Sequence, residues 1–379
     1  MKSNTLLILG GYGNTGRMIA NLLLQETTVH LILAGRDLKK AELATKALNA
    51  QFPGERVAAS AADAANRADL LPLFSKVRMV VVASSTAKHT ANIAEVALNV
   101  GIDYMDIHFG PKVYTQLYAM DAQIMDKGKS FISGGGFHPG LPAAMIRFAG
   151  QYFDEMETAI VSGVMNVDFS TYEYTPNTRR EFVEELADFN PLFYKNGHWQ
   201  KMNMLSTRDM LKVDFGEYGE KICSPLFFEE LQELPTTFSR LKHVGFYIAG
   251  FNPVVDYFIF PLVIFLQKIL PKSAIEPLSR LMLWGMKKFA KPPYGYMIKL
   301  EATGKKAGKQ ENLSLNLSHT DPAFITAAPV VACLLQYLET KNLRPGLWLQ
   351  AWYVEPNRFM QDIQRMGLIC ETNKIIEMG

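Results

Sequence analysis

Three glycines at fixed spacing, Gly11-x-Gly13-x-x-Gly16, and one arginine, Arg36, carry the clearest chemistry in the sequence. Glycines so spaced between a strand and a helix let backbone N–H groups and a helix N-terminus hold a pyrophosphate. In that arrangement Gly11 permits the tight turn, Gly13 the close approach of the phosphates, and Gly16 the contact of helix with strand. Tyr12, Asn14 and Thr15 fill the positions between them and belong to the same cofactor-binding set. About twenty residues beyond such a turn, a carboxylate usually meets a free ribose 2′-hydroxyl. Here that place reads Ala34-Gly35-Arg36-Asp37. The small pair leaves room, and the planar, permanently charged guanidinium of Arg36 can pair with a 2′-phosphate and stack on adenine. The cofactor expected is therefore NADP(H) rather than NAD(H). The alternative is a solvated arginine beside an aspartate that only caps a helix.

These residues need a parallel sheet beneath them, and the first third of the chain has its pattern. The apolar run Leu6–Leu9 precedes the glycines, and Val29–Ala34 reads as a second strand. Asp37 caps a helix from Leu38, Arg56–Ala59 is a brief third strand, and Val77–Ala83 is a strand apolar enough to be buried on both faces. A helix from about Lys88 to Val100, a strand Asp103–Asp106, a helix around Val113–Asp126 and a strand Ser130–Ser133 follow. Strands alternating with helices give an α/β fold, a Rossmann-type doubly wound parallel sheet. Ser84-Ser85-Thr86 then lies at the carboxyl end of the fourth strand, where ligands of open α/β sheets bind. Those hydroxyls reach the ribose or phosphate, cap the next helix, or do both. Asp63, after the third strand, either faces the adenine or is an ordinary turn aspartate.

Composition bounds the rest. At 379 residues, with 48% hydrophobic and 20% charged, the chain has material for two full cores and no sign of global disorder. A net charge of +2 gives no electrostatic case for a nucleic-acid partner. Cys223, Cys333 and Cys370 are scattered and form no CxxC pair, which suits a reduced compartment without structural zinc. The apolar run before the glycines is too short for a signal peptide, so the expected location is cytoplasmic. The seven histidines have no ligand spacing, and no metal is expected.

Beyond residue 150 the pattern changes. Ala159–Val167 and Leu211–Phe215 read as strands, and Arg179–Phe189 as an amphipathic helix. Met297–Ala302 and Leu313–Ser318 alternate strictly around a polar turn, Gly304–Asn312, which signals a hairpin. Residues 151–325 are therefore expected to form an α+β substrate and dimerisation domain with a mainly antiparallel sheet, after a dinucleotide-binding domain in residues 1–150. Val244–Leu266 approaches the length of a membrane span but contains Asp256, Pro253 and Pro261, which argue against one. Leu281–Phe289, with Trp284 beside Lys287 and Lys288, has the make-up of a membrane-surface helix. The region 244–289 is thus a packed helix pair, a homodimer interface, or a peripheral membrane contact. Tyr337-x-x-x-Lys341 imitates the catalytic pair of short-chain dehydrogenases, but it lies far from the glycines on a helix that reads as core.

Several further stretches occur in order: Val80-Val81-Val82-Ala83, Gly101-Ile102-Asp103-Tyr104-Met105-Asp106, and Gly134-Gly135-Gly136-Phe137-His138-Pro139-Gly140. With the glycine turn, Leu33–Asp37, and the later Leu300–Gly304, Thr326–Val330 and Arg344-Pro345-Gly346, the chain resembles the saccharopine dehydrogenase-like family of NADP-binding oxidoreductases. The resemblance implies that residues 326–379 return to pack on the first domain. It also implies that Tyr104, Asp106 and the turn Gly136–Gly140 lie beside the nicotinamide. Tyr104, Asp106 and His138 become the catalytic candidates, with Asp106 alternatively a structural carboxylate, and Gly136 and Phe137 join the cofactor-binding set. The commonest version of this turn has an acidic residue before its proline, where this chain has His138. An imidazole can exchange a proton near neutral pH, as hydride transfer to C=N, C=O or C=C requires; alternatively it only hydrogen-bonds the turn.

The function expected is hydride transfer between NADP(H) and a small-molecule substrate held between the two domains of a homodimer. A saccharopine-like amino diacid would need several arginines, of which Arg179 and Arg180 are the conspicuous pair, whereas the Phe- and Tyr-rich middle suits an apolar or lipid-like substrate. The competing class is a non-catalytic NADP-binding sensor or membrane-associated interaction protein.

Overall fold

The computed structural model describes residues 4–171, 189–203, 206–270, 274–340 and 344–374. The expected helix 179–189 and the pair Arg179 and Arg180 lie almost wholly outside them. The chain divides into two compact units, one of Met1–Phe148 with Pro322–Leu368, the other of Ala149–Asp321 with Ile369–Ile376.

The first unit is a doubly wound sheet. Strands β1 (Thr5–Leu9), β2 (His30–Gly35), β3 (Val57–Ala61), β4 (Met79–Val82), β5 (Asp103–Asp106) and β6 (Ser130–Ser133) alternate with helices α1 (Asn14–Glu26), α2 (Leu38–Gln51), α3 (Arg67–Phe74), α4 (Thr90–Val100), α5 (Pro111–Tyr118) and α6 (Asp121–Asp126). All pairs are parallel, in the order β3-β2-β1-β4-β5-β6, and a seventh strand, Gly346–Leu349, adds beside β6. The order reverses between β1 and β4, the switch point beside whose strand ends open α/β sheets bind their ligands. Side-chain alternation in β1 explains the two-sided cover. Leu7 and Leu9 join Val80, Val82, Tyr104 and residues of α3 and α4 in one core, while Leu6 and Ile8 are buried as well. The apolar helix Pro322–Glu339 packs against α1. It has the length and hydropathy of a membrane span, yet most of it is buried in this unit. Tyr337, on that helix, donates to Asp103 Oδ2 at 2.7 Å and receives Arg78 Nε at 3.1 Å, a core contact far from the glycine turn in kind.

One expected helix, 113–126, is two. It breaks at Ala119–Met120, because Asp121 starts a new turn whose carboxylate accepts from the Leu347 amide at 2.6 Å. That anchor lies 226 residues away and left no local signal.

The second unit is built on a mixed sheet. Strands β7 (Glu155–Asn166), β8 (Leu192–Lys195), β9 (His198–Lys201), β10 (Leu211–Asp214), β11 (Glu220–Pro225), β12 (His243–Ala249), β13 (Gly295–Lys306) and β14 (Lys309–His319) pair antiparallel, except that β7 and β12 run parallel. The β13–β14 hairpin is longer than expected and turns on Ala307-Gly308, with φ values of 50° and 76°. Such a tight turn matches the twist of its strands, so the polar flanks stay in the ladder. The C-terminal segment does not remain with one unit. Its last strand, Ile369–Thr372, pairs antiparallel with β14.

Candidate active site

The glycine turn occupies the end of β1 at the switch point. Gly10 has φ +87°, and a Cβ there would come within 2.6 Å of Ser84 Cβ, so the β1 and β4 loops meet without room for a side chain. Gly11 and Gly13 are held by hydrogen bonds to Ile8 and Gly10 carbonyls at 3.1 and 2.9 Å. A Cβ on Gly16 would strike the Gly10 carbonyl, so α1 sits directly on the turn. Gly13 is the N-cap of α1; it supplies no side-chain cap, and the first turn has no acidic residue. The N–H groups of Asn14, Thr15 and Gly16 therefore open the helix without a side-chain acceptor, the arrangement that suits a phosphate.

At the end of β2 three adjacent residues take three roles. The Tyr12 ring lies over Gly35, and its hydroxyl accepts from the Asp37 amide at 3.2 Å. The Asp37 carboxylate turns to its own helix, where it accepts from the Lys40 amide at 3.1 Å and caps α2. Arg36 is exposed, and no hydrogen bond or ion pair among the described residues engages it. Asp63 is a turn aspartate: its Oδ1 accepts from the Ala65 amide at 2.9 Å. Ser84 and Thr86 hydroxyls pair with each other at 3.0 Å, and Ser85 is exposed beside them.

Around β5 and β6 the residues close into one network. Asp106 is fully buried and accepts four donors: the Tyr104 hydroxyl at 2.8 Å, the Ser133 hydroxyl at 3.0 Å, and the His108 and Gly134 amides at 3.1 Å each. Burial, then the Asp106 charge and the hydrogen bond to it, push the Tyr104 phenol further above its ordinary pKa. Tyr104 is itself fully buried, stacked on Phe131 at 5.2 Å. Neither group has an open face toward a ligand. The expectation that Tyr104 and Asp106 exchange protons with substrate meets this geometry badly; they anchor the turn Gly134–Gly140 instead.

That turn carries His138, edge-on to the buried Phe137 ring at 4.8 Å. Burial pulls the His138 imidazole down to about 4, so it is neutral at physiological pH. Gly136, at φ +127°, faces Thr326.

Two residues went unnoticed in the sequence. His108 is buried; its Nε2 lies 2.8 Å from the Ser84 carbonyl, which can only accept, so Nε2 carries the proton and Nδ1 faces the Thr90 hydroxyl at 3.4 Å. It ties the β4 loop to Asp106, and its place two residues past the end of β5 was the available signal. Gln350 follows the seventh strand and is fully buried, its carboxamide lying against Gly135 and Gly140 with neither polar atom hydrogen-bonded. Nothing local distinguishes it.

Residues 6–132 match the saccharopine dehydrogenase NADP binding domain. No curated protein matches the chain. Among solved structures, the apo histidine-tagged saccharopine dehydrogenase (L-Glu forming) from Saccharomyces cerevisiae is 11% identical with a TM-score of 0.67, over 98% of this chain and 100% of that one. The C. glutamicum DAP dehydrogenase in complex with DAP is also 11% identical, over 97% of this chain and 100% of that one, with a TM-score of 0.47. At that identity the yeast enzyme speaks for the fold alone, while the matched domain speaks for a nicotinamide dinucleotide. The resemblance read from the motifs is thus found independently: the chain carries a saccharopine dehydrogenase-type NADP-binding domain on the fold of a two-domain dehydrogenase.

Proposed function

We propose that the protein is an NADP(H)-dependent oxidoreductase acting on an apolar carbonyl, imine or enone compound. The match of residues 6–132 to an NADP binding domain carries the cofactor assignment, and the end of β2 is compatible with it, although a capping Asp37 beside a solvated Arg36 is also what the alternative expects. At the end of β2 the Asp37 carboxylate is committed to capping α2, while the neighbouring Arg36 guanidinium is exposed and unengaged among the described residues. A carboxylate there would favour a free 2′-hydroxyl; an open guanidinium favours a 2′-phosphate. The residues fit the phosphates of that cofactor. The open first turn of α1 would hold the pyrophosphate, and the glycines leave the space that side chains would fill.

When bound, the nicotinamide supplies or accepts the hydride. This chain's residues orient and polarise. Asp106, through the Gly134 amide, fixes the turn that presents His138. The family resemblance sets this turn beside the nicotinamide, and there a neutral His138 would stabilise developing negative charge by hydrogen bonding rather than by giving up a proton. The proton that completes reduction comes from water. An apolar substrate is supported by the Phe- and Tyr-rich middle of the chain. Among the described residues, Arg147 donates to the Ala351 and Val354 carbonyls and Arg344 to the Tyr353 carbonyl, which engages both guanidinium groups within the first unit.

The test is NADPH oxidation against a panel of apolar ketones, imines and enones beside amino-acid/aldehyde pairs. Turnover of the apolar set supports the reading. Turnover confined to amino-acid pairs overturns the substrate class, and failure to bind NADPH overturns the whole.

A further inference from the structure

The sequence left the run 244–289 open among packed helices, a dimer interface and a membrane contact. Its first residues are β12; the rest is a helix pair, Val255–Ile269 and Ile275–Phe289. Val255, Ile259, Val263, Leu278, Met282 and Met286 form its inner seam. That seam satisfies one face of each helix, and a soluble helix would be polar on the other. The first helix is not. Phe258, Leu262, Phe265 and Ile269, spaced four, three and four apart, form an outward stripe, with Phe258 72% and Ile269 62% exposed. Tyr257 beside them and Trp284 on the second helix are also more than half exposed. A helix apolar on both sides is covered by something besides its partner helix.

We infer that this outer face docks on the surface of an anionic lipid bilayer. Charge selects that occupant. Between Gly250 and Pro293 the sequence has six basic residues and two acidic ones. Asp256 is turned inward, its Oδ1 accepting from the Phe251 amide at 2.9 Å, and Glu276 is paired with Arg280 at 3.1 Å. Lys287, Lys288 and Lys291 are exposed. Lys287 and Lys288 follow Trp284 by three and four residues and so share its side of the helix. An exposed tryptophan followed by two lysines on one helix, with an exposed aliphatic and aromatic stripe on its partner helix, is the composition of a helix pair lying in the headgroup region, its apolar side chains in the acyl boundary and its cations on the phosphates. Among the described residues of the helix pair, the charged side chains classed as exposed are Arg280, Lys287 and Lys288, all basic. The pair is too short to span, since each helix is well under the roughly 20 residues a crossing needs. This inference rests on the second unit and is independent of the cofactor assignment.

The test is flotation of the full chain with vesicles of phosphatidylcholine alone and with about one-third phosphatidylserine. Binding to the anionic vesicles, weakened by about 0.5 M salt, is expected. Phe258→Asp/Phe265→Asp should lower it at least about tenfold, with the far-ultraviolet spectrum and thermal midpoint retained. Because both side chains are already exposed, the variant should fold. Lys287→Glu/Lys288→Glu, which keeps the apolar stripe, should lose the preference for anionic lipid and serves if the first variant fails to fold. Absence of binding to either vesicle overturns the inference, as does binding indifferent to both variants. A chain that stays off vesicles but passes from dimer to monomer on Phe258→Asp/Phe265→Asp also overturns it, in favour of an interface between copies.

Discussion

The ring of Tyr12 rests on the α-carbon of Gly35, where an added Cβ would stand 2.5 Å from Cε1, while the Tyr12 hydroxyl takes the Asp37 amide at 3.2 Å. The contact joins the glycine turn of β1 to the end of β2 and fixes the backbone that presents Arg36. Gly35→Ala must push the ring away and break that hydrogen bond. We expect NADPH affinity to fall about tenfold, roughly 1.4 kcal/mol, and Tyr12→Ala/Gly35→Ala to recover part of it. Titration of cofactor fluorescence measures both, and unchanged affinity in Gly35→Ala would show the contact to be idle.

Asp106 is the second anchor. Replacing it by Asn turns an acceptor of four donors into a group that also carries two N–H of its own, leaving buried donors unmatched. The unfolding free energy of the first unit should drop by roughly 2–3 kcal/mol in urea titration, with cofactor affinity weakened as the Gly134 turn loosens. A loss below about 0.5 kcal/mol would contradict the anchoring role.

His138 sets a pH dependence whose sign is definite. Its native imidazole ionises only near pH 4, against an ordinary 6.5, so the unfolded chain takes up a proton that the folded one refuses. Stability of the first unit should therefore fall as pH falls from about 6.5 toward 4, by about 2 kcal/mol at pH 5 from this residue. His138→Asn should flatten that loss. In the second unit His243, lowered to about 4 by burial, acts in the same direction, while Asp256, raised to about 6 by burial, opposes it because it holds its proton longer when folded. Urea midpoints at pH 7 and pH 5 decide the matter.

The same neutrality has a kinetic consequence. If His138 acts by hydrogen bonding, kcat/KM should show no inflection near pH 6.5, and His138→Phe should lower kcat by about 10–100-fold while leaving NADPH affinity nearly intact. His138→Gln, which keeps an N–H donor, should retain more rate than His138→Phe. Equal rates in all three proteins would remove the histidine from the reaction.

How far the sequence reached depended on whether the cause was local. Asp103–Asp106 and Ser130–Ser133 were readable as strands from their places in the strand–helix alternation, each with an apolar pair at its centre. The Asp37 cap was readable because a helix cap is set by neighbours in the chain, and Arg36 is exposed beside it. Asp106 was a candidate through the resemblance, but its four donors come from β5, β6 and the loops after them and meet only in the folded sheet. Gln350 and the break before Asp121 depend on partners more than two hundred residues away. The run 244–289 was apolar on any reading, but composition cannot tell a seam such as Val263–Met282 from an outward stripe such as Phe258–Phe265.

The central claim is that an open Arg36 beside a committed Asp37 selects the phosphorylated cofactor. The direct measurement is the pair of dissociation constants for NADPH and NADH in the parent protein and in Arg36→Ala. A charge-assisted contact of about 1.5–3 kcal/mol predicts that the parent binds NADPH roughly 10–100-fold more tightly, and that Arg36→Ala loses most of this preference with NADH affinity nearly unchanged. Equal affinities in the parent, or a preference that survives Arg36→Ala, would contradict the assignment.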